Sequence, residues 1–133
     1  MRRLCVSLTV ALTATVGGCS KSPDKVAMEA RQAAASWAAT LSAAAEWWGS
    51  NKVSTSYFRT VVTEARTSLQ QEEQTARTSA GDAAAAPVHA VAAHAAAIAD
   101  AVRRGDRAAA LEAGHAAASD VPAEKTSAIA RPE

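Results

Sequence analysis

Residues 37–69, WAATLSAAAEWWGSNKVSTSYFRTVVTEARTSL, hold two apolar stripes on either side of a short polar stretch. Before it, Trp37, Leu41, Ala44 and Trp48 recur at steps of three and four, the spacing that lays side chains along one face of an α-helix. After it, Phe58, Val62, Ala65 and Leu69 repeat the pattern. Gly49 can close the first helix, and the Ser54 hydroxyl can cap the second. Folding one stripe back on the other pairs Trp48 with Phe58, Ala44 with Val62, Leu41 with Ala65 and Trp37 with Leu69. The same register reaches Val26 opposite Ala80. One register that satisfies both stripes predicts an antiparallel helical hairpin.

Outward from this hairpin the punctuation continues. Ser22-Pro23 places a capping hydroxyl before a proline at the first helical position, so helix one is expected over residues 23–48 with a stripe through Val26, Ala30, Ala33 and Trp37. The second stripe runs on through Glu72, Ala76 and Ala80 and stops at Gly81. Pro87 has no N–H to give to a helix interior, so helix three is expected to start near it, with Val88, Val91, Ala95, Ile98 and Val102 on one face. Gly105-Asp106 reads as a stop followed by an N-cap. Helix four then carries Ala108, Leu111, His115 and Ala118, which would set Ile98 against Leu111, His94 against His115 and Val91 against Ala118. The expected fold is all-α, an antiparallel up-down-up-down four-helix bundle made of two helical hairpins over residues 25–119, followed by a tail at 120–133 that holds Pro122 and Pro132.

Composition agrees with helices and limits what they can bury. Of 133 residues 37 are alanine and five are aromatic, a balance that favours helix over strand. Alanine seams let helices approach closely but bury little area apiece, so modest stability is expected and a homodimer stays open. A formal net charge of +1 supplies no electrostatic case for nucleic acid as a partner.

The N-terminus carries an address. Arg2 and Arg3 precede an uncharged apolar run from Leu4 to Val16, too short to span a bilayer core, which needs ~20 residues. Its length and flanks match the apolar region of a secretory signal peptide. Val16-Gly17-Gly18-Cys19 resembles the lipobox of bacterial lipoproteins, an aliphatic residue and two small ones before cysteine. The resemblance implies that residues 1–18 are removed as a signal peptide and that Cys19 carries acyl chains, palmitate among them. On that resemblance residues 19–24 are expected to form a lipidated tether, and the protein to be a membrane-anchored lipoprotein of the cell envelope facing the periplasm or exterior. Two or three acyl chains would make a stable anchor, since each buried CH₂ contributes ~0.8 kcal/mol. Cys5 falls in the removed segment, so no thiol remains for a disulfide or a catalytic nucleophile.

Two constellations are candidates for function. Trp47, Trp48, Tyr57 and Phe58 flank the turn that the first helix carries farthest from the anchor, either as an aromatic plug or as a partner-binding tip for another envelope protein. Trp47 lies about 100° from Trp48 around the helix and so falls off the buried stripe. The second constellation is Glu72, His94, Glu112 and His115, which the expected registers bring to one height. Imidazoles and carboxylates converging inside a bundle can hold a transition metal, here a single zinc or copper ion. Glu112-Ala113-Gly114-His115 resembles the Glu-x-x-His element of di-metal carboxylate bundles, but Val91 stands where the mate of that element needs a carboxylate. No GxSxG, HExxH, Walker loop or glycine-rich dinucleotide turn occurs, so the chain is read as no enzyme and without a catalytic residue or resident cofactor. Its expected role is a non-catalytic interaction or structural helical module, with a metal-binding or metal-sensing bundle as the alternative.

Overall fold

The computed structural model describes residues 21–121; the signal segment, Cys19 and most of the tail lie outside them. Four helices follow in order: α1 (Pro23–Gly49), α2 (Thr55–Ala80), α3 (Asp82–Arg104) and α4 (Arg107–Asp120). They pack as a four-helix bundle in which each helix touches its neighbours in sequence and α4 closes against α1. Across the middle α1 touches α3, whereas α2 and α4 do not meet.

Local chemistry sets the helix ends. The Ser22 hydroxyl accepts the Lys25 N–H at 3.3 Å, with Pro23 as the first helical residue. Ser54 caps α2 by accepting the Tyr57 N–H at 3.1 Å. Asp106 caps α4 by accepting the Ala109 N–H at 3.0 Å. Gly105, just before it, sits at φ +68, a left-handed conformation that suits a residue without Cβ. Gly81, at φ +90, makes the whole connection between α2 and α3.

At its turn the first hairpin pairs as expected, with Trp48 stacked on Phe58. Trp48, Phe58, Leu41, Val62, Ala65 and Leu69 are all buried, and Val26 is buried at the opposite end. On α1, however, Ala34 and Ala38 are buried, while Ala33 and Trp37 are only partly covered. The reason is that α1 touches all three other helices, so its buried arc is wider than one stripe and centred away from Trp37.

Two expectations need correction. Helix three starts at Asp82, not at Pro87, which lies inside it. A proline there removes one hydrogen bond, but the alanines before it are good helix formers, and Ala84 and Ala85 gain buried positions. The second correction concerns α4. Its buried residues are Ala110, Gly114 and Ala117, whereas Ala108, His115 and Ala118 face solvent and Leu111 is half-buried. Gly114 explains the rotation. A Cβ on it would stand 3.0 Å from the Ala45 Cβ and 3.3 Å from the Ser42 Cα. Small residues let α4 settle tightly on α1, and the closest packing lies along that row.

Of the described helices only α3 is long and apolar enough to cross a membrane. Its apolar row, Val88, Val91, Ile98 and Val102, is already buried against its neighbours.

Candidate functional site

The end of the bundle holding the α1–α2 and α3–α4 turns gathers four aromatic side chains, and the structure divides them in two. Trp48 and Phe58 are fully buried and stack with ring centroids 5.0 Å apart at 26°. The Trp48 indole N–H donates to the Thr55 hydroxyl at 3.0 Å, which satisfies its one polar atom. The Arg107 guanidinium lies over the same ring, 5.1 Å from its centroid, and donates to the Trp48 carbonyl at 3.0 Å and to the Asn51 side-chain oxygen. Arg107 thus ties the start of α4 to the first turn. Hydrophobic periodicity carries no signal for such a contact between the two turns.

The outer pair is different. Trp47 is 46% exposed and Tyr57 is 51% exposed. The register that pairs Trp48 with Phe58 puts Trp47 and Tyr57 one residue off the seam on their helices, offset from each other by about 3 Å along the bundle at ~1.5 Å per residue. Behind them Val61 is partly buried against the core. The turn that spaces them is well braced: the Asn51 and Lys52 N–H groups donate to the carbonyls of Trp48 and Trp47 at 3.1 and 2.8 Å. Asn51 takes φ +58, which asparagine tolerates better than most side chains. Two half-exposed aromatics thus stand on a braced end of the bundle.

The four candidate metal ligands do not meet. Rotation of α4 turns His115 outward, where its Nε2 is 3.0 Å from a carboxylate oxygen of Glu46 on α1. His94 instead reaches Asp120 near the end of α4, at 2.5 Å. Glu72 is half-buried on α2, across the bundle from α4, and Glu112 is exposed. Among the described residues no three histidine, cysteine, aspartate or glutamate side chains gather around one point. The expected convergence depended on pairing His94 with His115, and the close α1–α4 approach at Gly114 replaces that pairing.

The remaining histidine, His89, lies 3.0 Å from Glu73, which also takes the Arg77 guanidinium at 2.7 Å. All three histidines therefore face a carboxylate on a different helix, across the α2–α3, α3–α4 and α4–α1 seams. At the opposite end, Lys21 donates to Glu29 at 2.8 Å. That hydrogen bond, with the charge of Glu29 and more weakly that of Glu72, holds the Lys21 ammonium above its ordinary pKa. The same bond holds the Glu29 carboxyl below its own.

No family model, curated protein or solved structure matches this chain. Among the described residues no polar or charged side chain is fully buried, and no buried polar atom lacks a partner.

Proposed function

We propose that this chain is a non-catalytic interaction module of the bacterial cell envelope, anchored to a membrane through acylated Cys19. Its partner is another envelope protein that docks on the aromatic end of the bundle. The observation that carries the interaction reading is the division of the aromatics. Trp48 and Phe58 close the core, which leaves Trp47 and Tyr57 about half exposed with no structural duty that needs them there. Exposed aromatics on a rigid scaffold are the side chains that most often dominate protein interfaces. The anchoring reading rests on the resemblance of Val16-Gly17-Gly18-Cys19 to a lipobox. It also gives the aromatic end a purpose: α1 starts at the tether and runs roughly 40 Å at ~1.5 Å per residue before the turn, which holds Trp47 and Tyr57 away from the bilayer.

Both parts are tested in the producing cell. Metabolic labelling with a palmitate analogue marks the protein, and Cys19→Ser abolishes the label. A photoreactive amino acid at position 47 yields a discrete adduct with an envelope protein, and Tyr57→Ser weakens that adduct. The same probe at Met28, an exposed apolar position near the other end, yields none. Equal adducts from both positions would sink the docking surface. An unlabelled wild-type protein would sink the anchor, and substrate turnover by the purified chain would overturn the non-catalytic reading.

A further inference from the structure

The seam between α2 and α3 is open near the aromatic end. A cavity of about 160 Å³ lies there, with Val62, Ala99 and Val102 in its floor and Arg59, Arg66 and Arg103 at its rim. It continues along the seam into a hollow of about 430 Å³ that ends at Glu73. Arg59 and Arg66 are two turns apart on α2, about 10 Å at ~1.5 Å rise per residue, and Arg103 faces them from α3.

These cations are not spent on the fold. Among the described residues Arg59 and Arg66 make no ion pair, and Arg103 is held from one side by Asp100 on its own helix. Glu73, the carboxylate at the far end of the seam, is already occupied by Arg77 and His89. The threonine hydroxyls beside the arginines turn inward: Thr63 donates to the Arg59 carbonyl and Thr67 to the Thr63 carbonyl, at 2.9 and 3.1 Å. Three guanidiniums against one carboxylate leave two unopposed positive charges over an apolar floor.

We propose that this groove binds a soluble phosphate-bearing anion of charge −2 or more. The charged groups at the rim of the smaller cavity are all guanidiniums, N–H donors without an acceptor, so the ligand must be rich in acceptors. Guanidinium forks match phosphate oxygens two at a time, which favours phosphate over a chain of single carboxylates. Position along the bundle selects the source. Arg59 follows Phe58 directly and Arg103 precedes the α3–α4 turn, so the groove lies at the end remote from Lys21, where the chain enters the bundle. A soluble anion can reach that place, whereas headgroups beside the N-terminus are roughly 30–40 Å of helix away, at ~1.5 Å per residue. This inference concerns a different face from the aromatic pair and does not depend on the docking reading, although its choice of a soluble source rests on the anchoring of Cys19.

The test is calorimetric titration of the full chain, in uncharged detergent micelles at low salt, with inorganic pyrophosphate. Saturable binding is expected, weakened about tenfold or more by Arg59→Gln with Arg66→Gln, since hydrogen bonds to charged groups are worth more than neutral ones. Arg31→Gln, an exposed α1 cation outside the groove, should leave it unchanged. All three arginines are exposed, and circular dichroism checks that the variants keep their helices. Equal affinity in every variant, absence of saturable binding at millimolar pyrophosphate, or equal binding of succinate would each overturn the proposal. Competition by micelles containing phosphatidylglycerol would overturn the soluble source.

Discussion

Position 114 shows how much one side chain decides. Glycine inside a helix is ordinarily unfavourable by roughly 1 kcal/mol relative to alanine, yet here the missing Cβ lets α4 lie against Ala45 and the backbone of Ser42. Gly114→Val should destabilise the fold by about 1–3 kcal/mol, the usual range for overpacking, and a urea melt would read it. The two adjacent tryptophans make a second contrast. Trp48→Ala removes a buried ring with a stacking partner and a hydrogen bond, so a loss of about 3–5 kcal/mol is expected. Trp47→Ala, which removes a ring only half covered, should cost less, about 1–2 kcal/mol. Equal losses would refute the division of the aromatic end. A third test concerns Lys21 and Glu29. Because the folded protein lowers the Glu29 pKa, the contribution of this pair is present above the ordinary carboxylate value and fades as pH falls through the lowered one. The raised Lys21 pKa makes it fade again at strongly alkaline pH. Both groups are exposed, so the effect is small: Glu29→Gln should lower the melting temperature slightly near neutrality and not at all in strong acid.

Among the elements, α3 departs most from its expected boundary. Pro87 interrupts the hydrogen-bond ladder of a helix that nonetheless begins five residues earlier. Replacing it with alanine restores a donor for the exposed first turns, and Pro87→Ala should stabilise the bundle by about 1–3 kcal/mol in denaturant melts. A loss instead would mean that the proline ring itself is needed at the seam. The first hairpin was legible because Trp48, Leu41, Phe58, Val62 and Leu69 are large, spaced like a helix and separated by alanine or polar residues. The split between Trp47 and Trp48 followed from the same spacing. Helix α4 was illegible for the opposite reason: its alanines occupy every face, so periodicity cannot say which one is buried. Its rotation is set by how closely two backbones can approach. The candidate metal quartet rested on that rotation and was lost with it, whereas the arginine groove depends on a side-by-side α2–α3 placement that hydrophobic stripes do not encode.

On the scale of the whole molecule, the contacts between the two hairpins, α2 with α3 and α1 with both α3 and α4, govern behaviour. A bundle of two hairpins could come apart hairpin by hairpin, yet α1 packs on α2, α3 and α4 alike, and the core runs without interruption from Ala30 to Ala117. Much of that core is alanine, so no local patch buries enough area to persist alone, and the entropy of ordering each helix must be offset by the others. The bundle should therefore unfold as one unit. Tryptophan emission reports mainly the aromatic end and far-ultraviolet circular dichroism reports all four helices, so their denaturation curves should coincide. Val26→Ala tests this from the far end. It trims a buried side chain close to where α1 begins, some 30 Å of helix from Trp48 at ~1.5 Å per residue, and a loss of about 1–2 kcal/mol is expected. That loss should shift the fluorescence and dichroism midpoints by the same amount. A shift in dichroism alone would mean that the two ends melt separately, and the aromatic end could then be treated as a small independent platform.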